Sequence, residues 1–182
     1  IRRYIHQHPE LSNEEFETTK LIREKLTEYG IEIAEIGLKT GVLGILRGKK
    51  PGKTVAIRED IDALPIQELN DVDYRSQNDG IMHACGHDMH AAVLFGVLQQ
   101  LATEPDFRGT IFGLFQPGEE CNPGGASLVL AEEPFADYDV RAVVGEHVEP
   151  SLEVGTFGFR AGKYMASSDE LRFTCLLYTS PS

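Results

Sequence analysis

Metal-competent side chains in this chain gather in four short clusters. Each cluster sits where an apolar strand-like run stops or an apolar helix-like run starts. Asp60 and Asp62 follow the apolar run at residues 54–57. His83, Cys85, His87, Asp88 and His90 lead into a long apolar run over residues 91–101. A Gln-Pro-Gly-Glu-Glu segment, ending in Glu119 and Glu120, follows the run at 110–115, and His147 follows the run at 141–144. The short runs read as strands. The longer one, with Ala91, Ala92, Val93, Leu94, Val97, Leu98 and Leu101, reads as a helix. Helices alternating with apolar strands specify an α/β fold, a sheet with helices packed on it. Ligands of open α/β sheets bind beyond the carboxyl ends of the strands, so the four clusters are expected to converge on one crevice.

The rest of the chain supplies the elements that would frame such a crevice. Residues 11–30 read as a helix. Ser12 with Glu15 spells a capping box, and Leu11 with Phe16 a hydrophobic staple. Phe16, Leu21, Ile22, Leu26 and Tyr29 form its apolar stripe, and Gly30 stands at the left-handed C-terminal cap. Strand-like segments follow at 31–36 and 41–46, residues 49–53 read as a Gly-, Pro- and Lys-rich turn, and 125–132 read as a further helix.

Composition narrows the class of molecule. With 182 residues and 41% hydrophobic side chains the chain can bury a core of its own. A formal charge of −12 repels phosphate backbones and argues against a nucleic-acid partner. No run of about 18 apolar residues is present, so no membrane span is expected. The first nine residues lack the apolar stretch of a secretory signal, although the chain begins without Met. Three irregularly spaced cysteines, Cys85, Cys121 and Cys175, argue against a disulfide framework and for a reducing, cytoplasmic compartment.

The clusters differ in how strongly they speak of chemistry. Cys85 and His87, two apart with Gly86 between them, can turn toward one metal ion, and a thiolate with an imidazole suits Zn, Co, Ni or Mn. Asp88 is placed to orient an imidazole. Adjacent glutamates are ordinarily solvated surface, as expected of Glu14-Glu15 and Glu132-Glu133. Glu119-Glu120 is set apart by following a strongly apolar run. One carboxylate there can ligate metal while the other takes a proton from water. A single His147 at a strand end is more often structural than ligating. Asp60 and Asp62 share one face of an extended segment, and three roles are open to them: ligands, orienters of a ligand, or a helix cap.

Taken together these residues resemble one family. The matching segments are Arg2-Arg3 with His6-Gln7-His8-Pro9-Glu10-Leu11-Ser12, then Thr40-Gly41-Val42, then Asp60-Ile61-Asp62-Ala63-Leu64-Pro65-Ile66-Gln67-Glu68. Met82-His83-Ala84-Cys85-Gly86-His87-Asp88-Met89-His90 follows, then Phe115-Gln116-Pro117 with Glu119-Glu120, Gly145 with His147-Val148, Val154-Gly155-Thr156 and Ala161-Gly162. The family is that of the dinuclear metal amidohydrolases: hippurate hydrolases, N-acyl-L-amino-acid amidohydrolases and hydrolases of indole-acetyl amino acids. The resemblance implies a zinc-exopeptidase-like catalytic domain, a central mixed sheet flanked by helices, interrupted by a smaller lid through which subunits form homodimers or larger homo-oligomers. It implies two divalent metal ions, of Zn, Mn, Co or Ni, and a small-molecule N-acyl amino acid as substrate. Cys85 would bridge the two ions, His87, Glu120 and His147 would be further ligands, and Glu119 the general base.

Departures from the family pattern are Gly118 before the glutamate pair, where Ala is usual, and Glu59 and Glu146, where small or apolar residues are usual. The pattern holds to about residue 174. Residues 175–182 read as a non-native or disordered tail after a catalytic-domain segment spanning 1–174, with the lid and a last histidine ligand expected to be missing. Two alternatives accompany the amidohydrolase reading. One is a dipeptidase, carboxypeptidase or N-acetyl-amino-acid deacetylase of the same fold. The other is an inactive metal-binding fragment. A bridging cysteine favours the amidohydrolase branch, because the resembling carboxypeptidases carry Asp there.

Overall fold

The structure, a computed structural model, describes residues 1–165. The chain divides into two compact units, Ile1–Val148 and Glu149–Ser182. In the second unit, residues 149–165 form turns and irregular chain, with Val154, Phe157, Phe159 and Met165 exposed. The domain limit expected at residue 174 and the tail at 175–182 lie outside the described residues.

Among the described residues, the first unit carries every helix and strand: α1 (Arg2–Gln7), α2 (Phe16–Glu28), β1 (Glu32–Ala34), β2 (Val42–Arg47), β3 (Lys50–Asp60), α3 (His87–Thr103), β4 (Arg108–Gln116), α4 (Gly125–Ala131) and β5 (Val140–Gly145). The sheet order is β1-β2-β4-β3-β5. β1 and β2 pair antiparallel, as do β2 and β4, while β3 runs parallel to both β4 and β5. The sheet is therefore mixed. Its parallel half is built by two crossovers, α3 between β3 and β4 and α4 between β4 and β5, since parallel neighbours need a long connection.

Strand alternation sorts the core into two layers. Val42, Leu46 and Phe115 on one face meet Ile22 and Leu26 of α2 and Ala91, Leu94 and Leu98 of α3. Leu43, Ile45, Ala56, Phe112 and Leu114 on the other face meet Val129 of α4. Phe112 and Phe115 are fully buried, each contributing on the order of 1.5–3 kcal/mol in removed apolar area. At Gly113 the Leu98 side chain of α3 packs so closely on β4 that a Cβ would lie 2.4 Å from its Cδ1.

Three local expectations are corrected. The helix expected over 11–30 begins only at Phe16, and the Ser12–Glu15 capping box does not form. Ser12 Oγ donates instead to Asp62 Oδ2 at 2.7 Å, and Glu15 Oε1 accepts the N–H groups of Asn13 at 2.9 Å and Gly118 at 2.7 Å. The free N–H groups of the first turn are met by Glu10, whose carboxylate accepts from Glu17 and Thr18 at 3.0 and 2.7 Å. The staple is also absent, since Phe16 is half-exposed and Leu11 bridges to Ala63. The turn expected at 49–53 is mostly strand. Lys50 already pairs with Arg108, and a register shift before Thr54 absorbs the Pro-Gly pair. Gly30 does take the left-handed cap, at φ +67°.

Register fixes the level at which the strands end. Asp60 pairs with Gln116, and Arg58 with both Leu114 and Gly145. The carboxyl ends of β3, β4 and β5 therefore lie side by side, and the chain leaves them at Asp62, Glu119-Glu120 and His147.

Candidate metal centre

Asp62 organises this edge. Its Oδ2 accepts from Ser12 Oγ and, at 2.9 Å, from the Glu120 N–H. Its backbone oxygen accepts His87 Nδ1–H at 2.8 Å, with Oδ1 3.3 Å from the same nitrogen. Burial alone would push the Asp62 carboxyl up, yet the hydrogen bonds from His87, the Glu120 N–H and Ser12 outweigh it and hold the group at about 2. A permanent carboxylate therefore fixes one imidazole by its Nδ1 and one glutamate by its backbone.

With Nδ1 committed, His87 turns Nε2 into the crevice. That atom is buried without a hydrogen-bond partner and lies 3.9 Å from both Glu119 Oε2 and Glu120 Oε1. Glu120 Oε1 is likewise buried and unpartnered. A donor atom left bare in the interior is costly unless a charge or hydrogen-bond partner meets it. Burial lowers the His87 pKa, but Asp62 and Asp60 more than reverse this, so the pocket calls for a positive charge.

Cys85 and His147 close the other side. Cys85 Sγ is 3.2 Å from His147 Nε2, and His147 Nδ1 donates to the Val148 carbonyl at 2.8 Å. The donor atoms of Cys85, His87 and His147 all lie within 4.8 Å of one another, and so do those of Asp60, His87 and Glu119. His87 belongs to both groups. Burial pushes the Cys85 thiol up to about 12, with Glu120, Glu119 and Asp60 adding to the effect. A sulfur among so many carboxylates ionises when a cation arrives, which is how a coordinating thiol behaves.

The turn that carries Cys85 and His87 needs Gly86. Its φ is +91°, and a Cβ there would lie 2.5 Å from Val148 Cγ2. Asp88 in the first turn of α3 orients an imidazole, but that of His6: Oδ2 is 3.0 Å from His6 Nδ1 and 2.7 Å from Arg2 Nε, and His6 Nε2 is 3.1 Å from Glu68 Oε1. His83 is buried with neither ring nitrogen hydrogen-bonded, and burial lowers its pKa to about 4.

Asp60 is pushed up to about 6 by burial, helped by Glu119 and Asp62 and opposed by Arg58, whose Nη2 lies 2.6 Å from Oδ1. Of the five residues singled out in the sequence, Cys85, His87 and His147 meet directly. Glu119 and Glu120 both face His87, Glu119 being the more exposed with 39% of its side-chain surface open against 22%. Of the three roles open to Asp62, it takes that of orienting, toward His87 and Glu120. A Ser and an Asp 50 residues apart carry no joint signal in a single sequence. The donor set of thiol, imidazole and carboxylate fits a divalent transition metal.

Residues 56–178 match the profile of peptidase family M20/M25/M40. The chain is 46% identical over 173 residues to an N-acetyl-L-cysteine deacetylase of Bacillus subtilis, covering 94% of this chain and 41% of that protein. It is 45% identical over 174 residues to thermostable carboxypeptidase 2 of Saccharolobus solfataricus, covering 94% and 44%. A crystal structure from Bacillus subtilis, described as a dinuclear metal-binding peptidase, superposes with a TM-score of 0.85 at 46% identity over 88% of this chain and 45% of that one. The chain thus spans less than half the length of these relatives.

Proposed function

The chain belongs to peptidase family M20/M25/M40, and from that premise we propose that it carries the larger part of the metal-binding half of a hydrolase that uses two divalent cations to cleave the amide bond of N-acyl amino acids. The observation that carries the reading is His87 Nε2, buried and unpartnered between the Glu119 and Glu120 carboxylates with Cys85 and His147 in reach. Cys85, His87, Glu120 and His147 would hold the cations. When bound, these supply Lewis acidity toward the scissile carbonyl.

The remaining work falls to the chain's own residues. Asp62 keeps His87 on its Nδ1–H tautomer and fixes the Glu120 backbone. Glu119, the more open of the pair, takes a proton from the attacking water as its oxygen bonds to the carbonyl carbon. It passes that proton to the nitrogen as the C–N bond breaks, giving a carboxylic acid and a free amine. Zn, Mn, Co and Ni all suit the donor set. Two free cysteines among the described residues, Cys85 and Cys121, are consistent with work in the cytoplasm.

Substrate identity is supported by the likeness to the deacetylase. The likeness to a carboxypeptidase supports a second reading in which the acyl group is itself an amino acid. In both readings the bond cleaved is an amide. In a protein of the relatives' full length carrying this segment, Glu119→Gln is expected to retain its metal and lose on the order of 10²–10⁴-fold in kcat on an N-acetyl amino acid. Unchanged kcat with metal bound would remove Glu119 from the role of base.

A further inference from the structure

We propose that His90 is a positioning residue for His147, gripping the Val148 backbone so that the His147 Nε2 is aimed at Cys85. The inference rests on the metal-centre reading but draws on a residue outside its ligand set. His90 lies on α3 one turn beyond His87 and is fully buried. Its Nε2 accepts the Val148 N–H at 3.0 Å. A backbone N–H can only donate, so this nitrogen is committed as an acceptor and is not available to a metal.

Val148 is held from three sides. Its N–H goes to His90, its carbonyl accepts His147 Nδ1–H at 2.8 Å, and its side chain lies over Gly86, where a Cβ would be 2.5 Å from Cγ2. The His90 and His147 rings meet edge to face, their centroids 4.6 Å apart. These contacts matter because little else holds this segment. β5 is the end strand of the sheet among the described residues, with Val143 and Val144 exposed by 67% and 58%. Packing therefore does little to orient His147. The α3 helix, which carries His87 and follows directly on Cys85, orients it through His90, so the donors of two separate segments, Cys85 with His87 on one and His147 on the other, are tied together.

The test uses the chain itself, with Co²⁺ as the probe. His90→Phe keeps a ring and removes the acceptor, whereas His90→Gln restores an acceptor through its amide oxygen. We expect His90→Phe to weaken Co²⁺ binding 10–100-fold, as loss of a ligand-orienting partner does, and His90→Gln to recover most of it. Should His90→Phe fail to fold, ¹⁵N imidazole spectra of the metal-free wild type decide. They should show His90 and His147 both protonated at Nδ1, and the His147 tautomer should persist in His90→Gln. A wild type that binds Co²⁺ with His90→Phe binding equally well, or a His90 protonated at Nε2, overturns the inference. A wild type with both tautomers as described but no affinity for Co²⁺ supports the positioning role and counts against the metal reading alone.

Discussion

His87 has one nitrogen committed and one spare, and Asp62 makes the difference. Because Asp62 binds His87 Nδ1, Ser12 Oγ and the Glu120 N–H together, removing its charge acts on two proposed ligands at once. Asp62→Asn keeps the shape and the backbone carbonyl but loses the carboxylate. It is expected to reduce divalent-metal affinity 10–100-fold in a competition titration, and unaltered affinity would mean that the backbone carbonyl alone orients His87. At this scale the sequence names candidate donors and says little of what holds them. Cys85, His87, Glu119, Glu120 and His147 stood out by type and position. Asp62 and His90 act through groups 25 to 58 residues away, and such contacts exist only once the strands are in register.

Local signals at the level of elements competed with tertiary ones, and the tertiary ones won. Ser12 and Glu15 spell a helix start, yet Asp62 and the Gly118 N–H draw both side chains away, and Glu10 caps α2 from seven and eight residues upstream. The junction of β3 and β5 holds a second such tension. Glu59 is buried and accepts the Glu146 N–H at 3.1 Å. Burial pushes its carboxyl up to about 8 from an ordinary 4.5, with the charges of Glu146 and Asp60 adding to the push. An acid raised on folding lends stability below its unfolded value and loses it as pH rises through the folded one. In the metal-free chain the stability from Glu59 should therefore be fully present below about pH 4.5 and gone above about 8. Within that window it changes by up to ~1.4 kcal/mol per pH unit. Glu59→Gln should flatten the fall of the urea midpoint between those limits, and equal slopes in both proteins would show that Glu59 does not titrate there.

For the molecule as a whole, the alternation of apolar runs was enough to specify an α/β sheet with the site at its carboxyl edge. It was not enough to specify the order β1-β2-β4-β3-β5, because an antiparallel β2 inserted beside β4 leaves no trace in hydrophobic period. The parallel trio β4-β3-β5 is what brings residues 62, 85–87, 119–120 and 147 to one place. That convergence is the central claim, and X-ray absorption on the zinc-loaded chain measures it most directly. A shell containing sulfur at ~2.3 Å and imidazole nitrogen at ~2.0–2.1 Å, with the sulfur lost in Cys85→Ser and the imidazole contribution reduced in His147→Ala, is the predicted result. A shell of oxygen alone, unchanged by either substitution, would contradict it.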